Sequence, residues 1–192
     1  MIGIAGPVIV LILAVISSGY YAHGNSSYKV GKQPQIEGTR SFRLVYRYIQ
    51  ITTVVAAIGS YVSGSPIFAR IHQSPALASL GLVIACLVML GFIWTKSNLG
   101  PNYSPCFDPY VPNQFVAVGP YRYIRHPLYS LNISLLLGLF TSTGSLWIAI
   151  NTIILAAYYG VSAKLEEKAL CNSFPEYGGY QLRTKRFIPL IF

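Results

Sequence analysis

The chain has 192 residues, of which 53% are apolar and only 10% are charged. A water-soluble domain carries roughly 25% charged residues, so the composition excludes an ordinary soluble globule and points to a bilayer as the main solvent. The net charge of +9 does not require nucleic acid, because a basic surface beside anionic lipid accounts for it.

Residues 2–22 contain no charge and predict a first membrane-spanning helix, which needs about 20 such residues. No Lys or Arg precedes Lys29. The stretch therefore lacks the basic start of a cleaved signal peptide and is read as a retained helix. The uncharged runs 49–69 and 74–95 predict a second and a third span. From Pro127 to Ala163 the sequence again carries no charge, too long a run for one helix and short for two full spans. Thr141, Ser142, Thr143 and Gly144 mark a turn near its middle. The prediction is a tight helical hairpin with arms at 127–141 and 145–163, the first arm short. The expected fold is all-α: one integral membrane domain over 1–192 with five transmembrane helices. Residues 1–95 form a three-helix part, and residues 96–192 form a part that carries the chemistry.

Placing the N-terminus outside puts thirteen of the fourteen Lys and Arg residues on the cytoplasmic side and leaves only Arg70 across the membrane, as the positive-inside rule requires. The polar residues worth notice lie almost all in the second half. They include Asn98, Asn102, Asp108, Asn113, Arg122, Arg125, His126, Glu166, Glu167 and Arg186. Loops 96–125 and 164–192 bracket the hairpin, so both are expected at one cytoplasmic face, where their closure builds a pocket. Transporters place ionisable groups at mid-bilayer, and these predicted helices are nearly bare of them. Cys86, Cys106 and Cys171 show no metal spacing, and no metal site is expected.

The densest motif is GPYRYIRHPLYS at 119–130. Pro127 suits the first turn of a helix, and His126 before it is driven toward extended geometry. Arg125 and His126 thus sit at a helix start, whose free N–H groups and dipole favour an anion. The adjacent pair Glu166-Glu167 follows the second arm, among only five acidic residues in the chain. Neighbouring helical residues diverge by about 100°, so one acid is expected to face a pocket and the other a nearby cation. The segment 174–189 mixes aromatic and basic residues without amphipathic regularity. Asn102 and Ser104 lie in a loop that also reads as ordinary turn chemistry.

Taken together, NLGPNYS, VGPYRYIRHPLY, the hairpin, EEKAL and FPEYGGYQLRTKRFIP resemble, in the same order, the membrane-embedded isoprenylcysteine carboxyl methyltransferases and their phospholipid-methylating relatives. The likeness covers about residues 97–190. It implies S-adenosylmethionine as cofactor. It also implies a cofactor pocket from Asn113, Phe115, Val116, Gly119, Tyr121, Arg125, His126, Pro127, Tyr129 and Glu166, with Glu167 and Arg186 as the catalytic pair that positions the methyl acceptor. The tetrad Asn113-Gln114-Phe115-Val116 departs from the family's pattern, which begins with a histidine, so only backbone contacts carry over at Asn113. The donor is a sulfonium with an ammonium, a carboxylate and an aromatic base, and the cations, acids and tyrosines here suit each part.

The resemblance implies a lipophilic or prenylated acceptor entering from the bilayer beside membrane lipids. The isoprenylcysteine-like carboxylate is the favoured acceptor. An ionised carboxylate needs no general base, whereas an aminophospholipid needs one such as Glu167 or His126, and a small thiol must reach thiolate. Both remain alternatives, as does a membrane protein that binds its ligand or scaffolds a partner without turnover.

Overall fold

The computed structural model describes residues 36, 41–62, 68, 70, 71, 74–104 and 109–189. The first expected span, 2–22, lies outside the described residues, as do Lys29, Lys32, Arg40, Cys106 and Asp108. Five α-helices and no strand occur among the described residues: α1 (Phe42–Val62), α2 (Pro75–Leu99), α3 (Pro127–Thr143), α4 (Leu146–Ser173) and α5 (Tyr177–Arg183). Two helices, Pro75–Asn102 with its terminal 3-10 turn and Leu146–Ser173, are long and apolar enough to cross a membrane. The number five coincides with the expectation, but the set differs, because α5 is a seven-residue polar helix.

Boundaries moved where charge was used to mark them. The helix expected at 49–69 starts at Phe42, because Arg43 and Arg47 end an apolar run without breaking a helix. The second hairpin arm, expected to stop at 163, runs to Ser173. Lys164–Leu170 is a series of strong helix formers, so the acid pair sits on α4 itself and not in a loop. The hairpin turn falls at Gly144, within the expected stretch, but Thr141–Thr143 belong to α3 and the first arm ends at Thr143 rather than 141. Gly144 adopts a left-handed φ of 68° and its N–H closes on the Phe140 carbonyl, which frees Ser145 to start α4.

At 17 residues, α3 spans about 25 Å, short of the roughly 30 Å hydrocarbon core. It lies against α2 in the most extensive helix contact among the described residues. Gly81 makes that approach possible, since a Cβ there would collide with the Gly138 carbonyl and the Ser142 backbone. Close approach at small residues is the usual solution between helices in lipid. The opposite side of α2 presents Leu80, Val83, Leu87, Leu90 and Trp94, all exposed at helical spacing. So broad an apolar stripe is out of place in water and matches a lipid-facing surface. Between α1 and α4, Asn151 donates through Nδ2 to the hydroxyls of Thr52 at 2.9 Å and Thr53 at 3.0 Å.

Candidate functional site

The site is built where the ends of α2, α3 and α4 meet the C-terminal tail. The tail is held by backbone: Lys185 N–H donates to the Tyr123 carbonyl, Arg125 N–H to the Lys185 carbonyl and His126 N–H to the Arg186 carbonyl, at 3.3, 2.8 and 3.0 Å. Ser130 Oγ adds a hydrogen bond to the Phe187 carbonyl at 2.6 Å. This zipper satisfies N–H groups at the start of α3, and it carries Arg186 onto α4.

There the two carboxylates diverge as helical geometry requires. Glu167 is 5% exposed and turns to the cations. Arg186 grips it in a fork, Nη2 to Oε2 at 2.6 Å and Nε to Oε1 at 3.0 Å. Arg125 Nε donates to Oε1 at 2.8 Å, and His126 Nε2 stands 3.2 Å from the same oxygen. Gln181 approaches Oε2 at 3.5 Å. A carboxylate so buried is tolerable only because it is paired and hydrogen-bonded on both oxygens. Arg125 is anchored further, since its Nη1 donates to the carbonyls of Gln181 and Thr184.

Glu166 faces the other way and lines a cavity of about 120 Å³. Its carboxylate accepts from the Tyr129 and Ser162 hydroxyls, and its Oε2 lies 3.5 Å from His126 Nδ1. The His126 ring stacks on Tyr129 at 5.1 Å and 10°, and Tyr129 stacks on Tyr159 at 4.1 Å and 7°. The ring column therefore runs from the site into the helix bundle. Across the cavity stand Tyr121, Tyr177 and Tyr180, with Phe115 edge-on to the last two at 5.4 and 4.9 Å. Tyr180 donates to the Tyr121 carbonyl at 2.6 Å. Burial pushes its phenol up to about 12 and that of Tyr177 higher still, so both remain neutral donors.

Of the residues singled out by sequence, Phe115, Val116, Tyr121, Arg125, His126, Tyr129 and Glu166 line the cavity. Pro127 is buried at N1 of α3. Gly119, at φ 58°, turns the chain into a 3-10 segment over Gly119–Arg122, where a Cβ would press on the Asn98 amide. Asn113 is exposed and is not among the cavity-lining residues, which include its neighbours Pro112 and Gln114. Glu167 and Arg186 form the ion pair beside the cavity and do not line it. Ser162, Gln181 and Thr184 were not anticipated. Ser162 was within reach, four positions before Glu166 on one helical face. Thr184 acts through its backbone carbonyl, which no side-chain pattern announces.

The family model for phospholipid methyltransferases matches residues 75–176. Two curated proteins are similar over 117 residues. One is the cobalt-zinc-cadmium resistance protein CzcN of Cupriavidus metallidurans, 32% identical over 60% of this chain and 50% of its own length. The other is the nickel-cobalt-cadmium resistance protein NccN of Alcaligenes xylosoxydans xylosoxydans, 30% identical over 60% of this chain and 51% of its own. The chain thus spans about half the length of these relatives. The family match covers more than half of the chain and takes in α2, the α3–α4 hairpin and the acid pair, though not α5 or the tail that carries Arg186, and on that ground the chain belongs to the phospholipid methyltransferase family.

Proposed function

We propose that this membrane methyltransferase takes its methyl group from S-adenosylmethionine and transfers it to a lipophilic acceptor that arrives already ionised, in first place the carboxylate of an isoprenylcysteine-like molecule. The donor's chemistry fits the residues present. Glu166 offers a carboxylate at the cavity wall for a cationic centre, and Tyr121, Tyr177 and Tyr180 offer faces for an aromatic base. Arg125, by contrast, is committed to Glu167 and two carbonyls, which makes it a support for the site more than a partner for the donor's carboxylate. When bound, the donor supplies an electrophilic methyl carbon on a sulfonium.

One observation carries the choice of acceptor: the titratable groups at this site are engaged. Glu167 accepts from two guanidiniums, Glu166 accepts from two hydroxyls, and both ring nitrogens of His126 face carboxylates. An ammonium acceptor must lose a proton to a base, and none stands ready. A carboxylate oxygen forms its bond to the methyl carbon as the carbon–sulfur bond breaks, with no proton to move. Arg186, with its side chain 24% exposed, is the cation best placed to orient such an anion. The aromatic wall and the lipid-facing α2 exclude water, so the rest of the rate comes from alignment.

The relatives' names speak of resistance to metal ions, and this favours a second reading within the same requirement, an alkyl thiolate as acceptor. Radiolabelled methyl transfer in nanodiscs to a prenylated cysteine, an aminophospholipid and an alkyl thiol distinguishes these. Label in a base-labile ester of the prenylated cysteine is the expected result. Label in the aminophospholipid overturns the requirement for an ionised acceptor, and donor binding without transfer to any acceptor favours a binding protein.

A further inference from the structure

His126 is 6% exposed and sits between two carboxylates on successive residues of α4. Its Nδ1 is 3.5 Å from Glu166 Oε2, and its Nε2 is 3.2 Å from Glu167 Oε1. A neutral imidazole has one N–H and one lone pair. In one tautomer the lone pair would face the buried Glu167 carboxylate and in the other the half-buried Glu166 carboxylate, and either is repulsive in a medium of low dielectric. Only an imidazolium places a donor on each side.

The surrounding groups agree. On the Glu167 side, Arg125 and Arg186 already balance the charge. On the Glu166 side the partners from α3 and α4 are the neutral Tyr129 and Ser162 hydroxyls, so the ring is the cation that balances Glu166. The Tyr129 and Phe187 rings that flank the imidazole, at 5.1 and 5.9 Å, carry no charge. We infer that His126 is a positioning residue, a doubly protonated clamp that ties Glu166 to Glu167 and holds the Glu166 carboxylate oriented at the cavity wall. Burial alone would lower the pKa of His126, but the hydrogen bonds and charges of Glu166 and Glu167 outweigh it and raise the value.

The clamp stands on the geometry of the protein without ligand, while its effect on donor affinity rests on the function proposed above. The test therefore has two arms. In the first, the His23→Gln/His72→Gln protein, which retains His126 alone of the three histidines, is labelled with 15N in the ring and titrated in nanodiscs without ligand. Both nitrogens are expected to be protonated at pH 7, with a midpoint above the ordinary value of about 6.5 that falls in Glu166→Gln. A neutral ring at pH 7 overturns the clamp. In the second arm, S-adenosylhomocysteine affinity is measured against pH. It is expected to fall about tenfold as the ring deprotonates, roughly the effect of one lost charge contact, and to be flat in His126→Gln. Wild-type affinity that ignores the ring's titration overturns the positioning role. A protonated ring with no binding at any pH leaves the clamp standing and removes the function.

Discussion

Glu167 is the residue on which the site turns. It neutralises Arg125 and Arg186 where neither has another described acid partner, so Glu167→Gln leaves two guanidiniums uncompensated. Breaking a buried pair on one side costs about 3–5 kcal/mol, and the variant is expected to lose that much stability in detergent unfolding. Arg186→Ala is milder for the fold and harsher for the reaction. Loss of a charge-assisted contact worth about 1.5–3 kcal/mol predicts a roughly 10- to 150-fold drop in methyl transfer, measured with the acceptor panel. Arg183, exposed and bonded among the described residues only to the Gly179 carbonyl within its own helix, is the control, and Arg183→Ala is expected to keep activity within about twofold. His126 gives the pH dependence. Its folded value is raised, so its contribution to stability is fully present below its unfolded value of about 6.5 and is lost as pH rises through the folded value. Thermal unfolding in buffers from neutral to alkaline pH should show that decline in the wild type and not in His126→Gln.

At the scale of elements, the site depends on how closely α2 and α3 approach. Gly81 meets the Gly138 carbonyl and Ser142 backbone, none of which is a flexible side-chain end that could yield. Gly81→Val is expected to cost at least the 1–3 kcal/mol typical of overpacking and to lower thermal stability, although Gly81 lies far along α2 from the end that holds the cavity. The same helices show what a sequence reveals about elements. Gly144 followed by Ser145 was legible as a turn because a left-handed position favours glycine on steric grounds alone. The end of α4 was not, because Lys164–Ser173 has the propensity of a helix and the charge of a loop, and a reading by charge chose the loop.

At the scale of the molecule, the backbone pairing of Tyr123–His126 with Lys185–Arg186 fixes the loop before the hairpin and the C-terminal tail at one end of the bundle, with the Gly144 turn at the other. The basic residues Arg122, Arg183 and Lys185 at that end predict a cytoplasmic position by the positive-inside rule. Cys171, exposed on the last turn of α4, reports on it. A membrane-impermeant maleimide is expected to label Cys171 in inverted vesicles and not in intact cells, and labelling in intact cells would reverse the topology.

The sequence by itself determined that the chain belongs in a membrane, that its second half holds a hairpin beginning at Pro127, and that Arg125, His126, the acid pair and Arg186 are candidates for the chemistry. Those conclusions follow from local causes: the absence of charge over helical lengths, proline at a helix start, glycine at a left-handed turn, and scarce polar residues that must have a use. Only the tertiary structure decided how the roles divide. That Glu167 takes the arginines while Glu166 faces the cavity, that Arg125 is tied to Glu167 and two carbonyls, and that one imidazole bridges both acids depend on where α4 is rotated against the start of α3 and on a tail more than 50 residues further along. Sequence spacing carries helical phase, but the meeting of three helix ends and a strap is set by packing, which acts between residues that no local pattern connects.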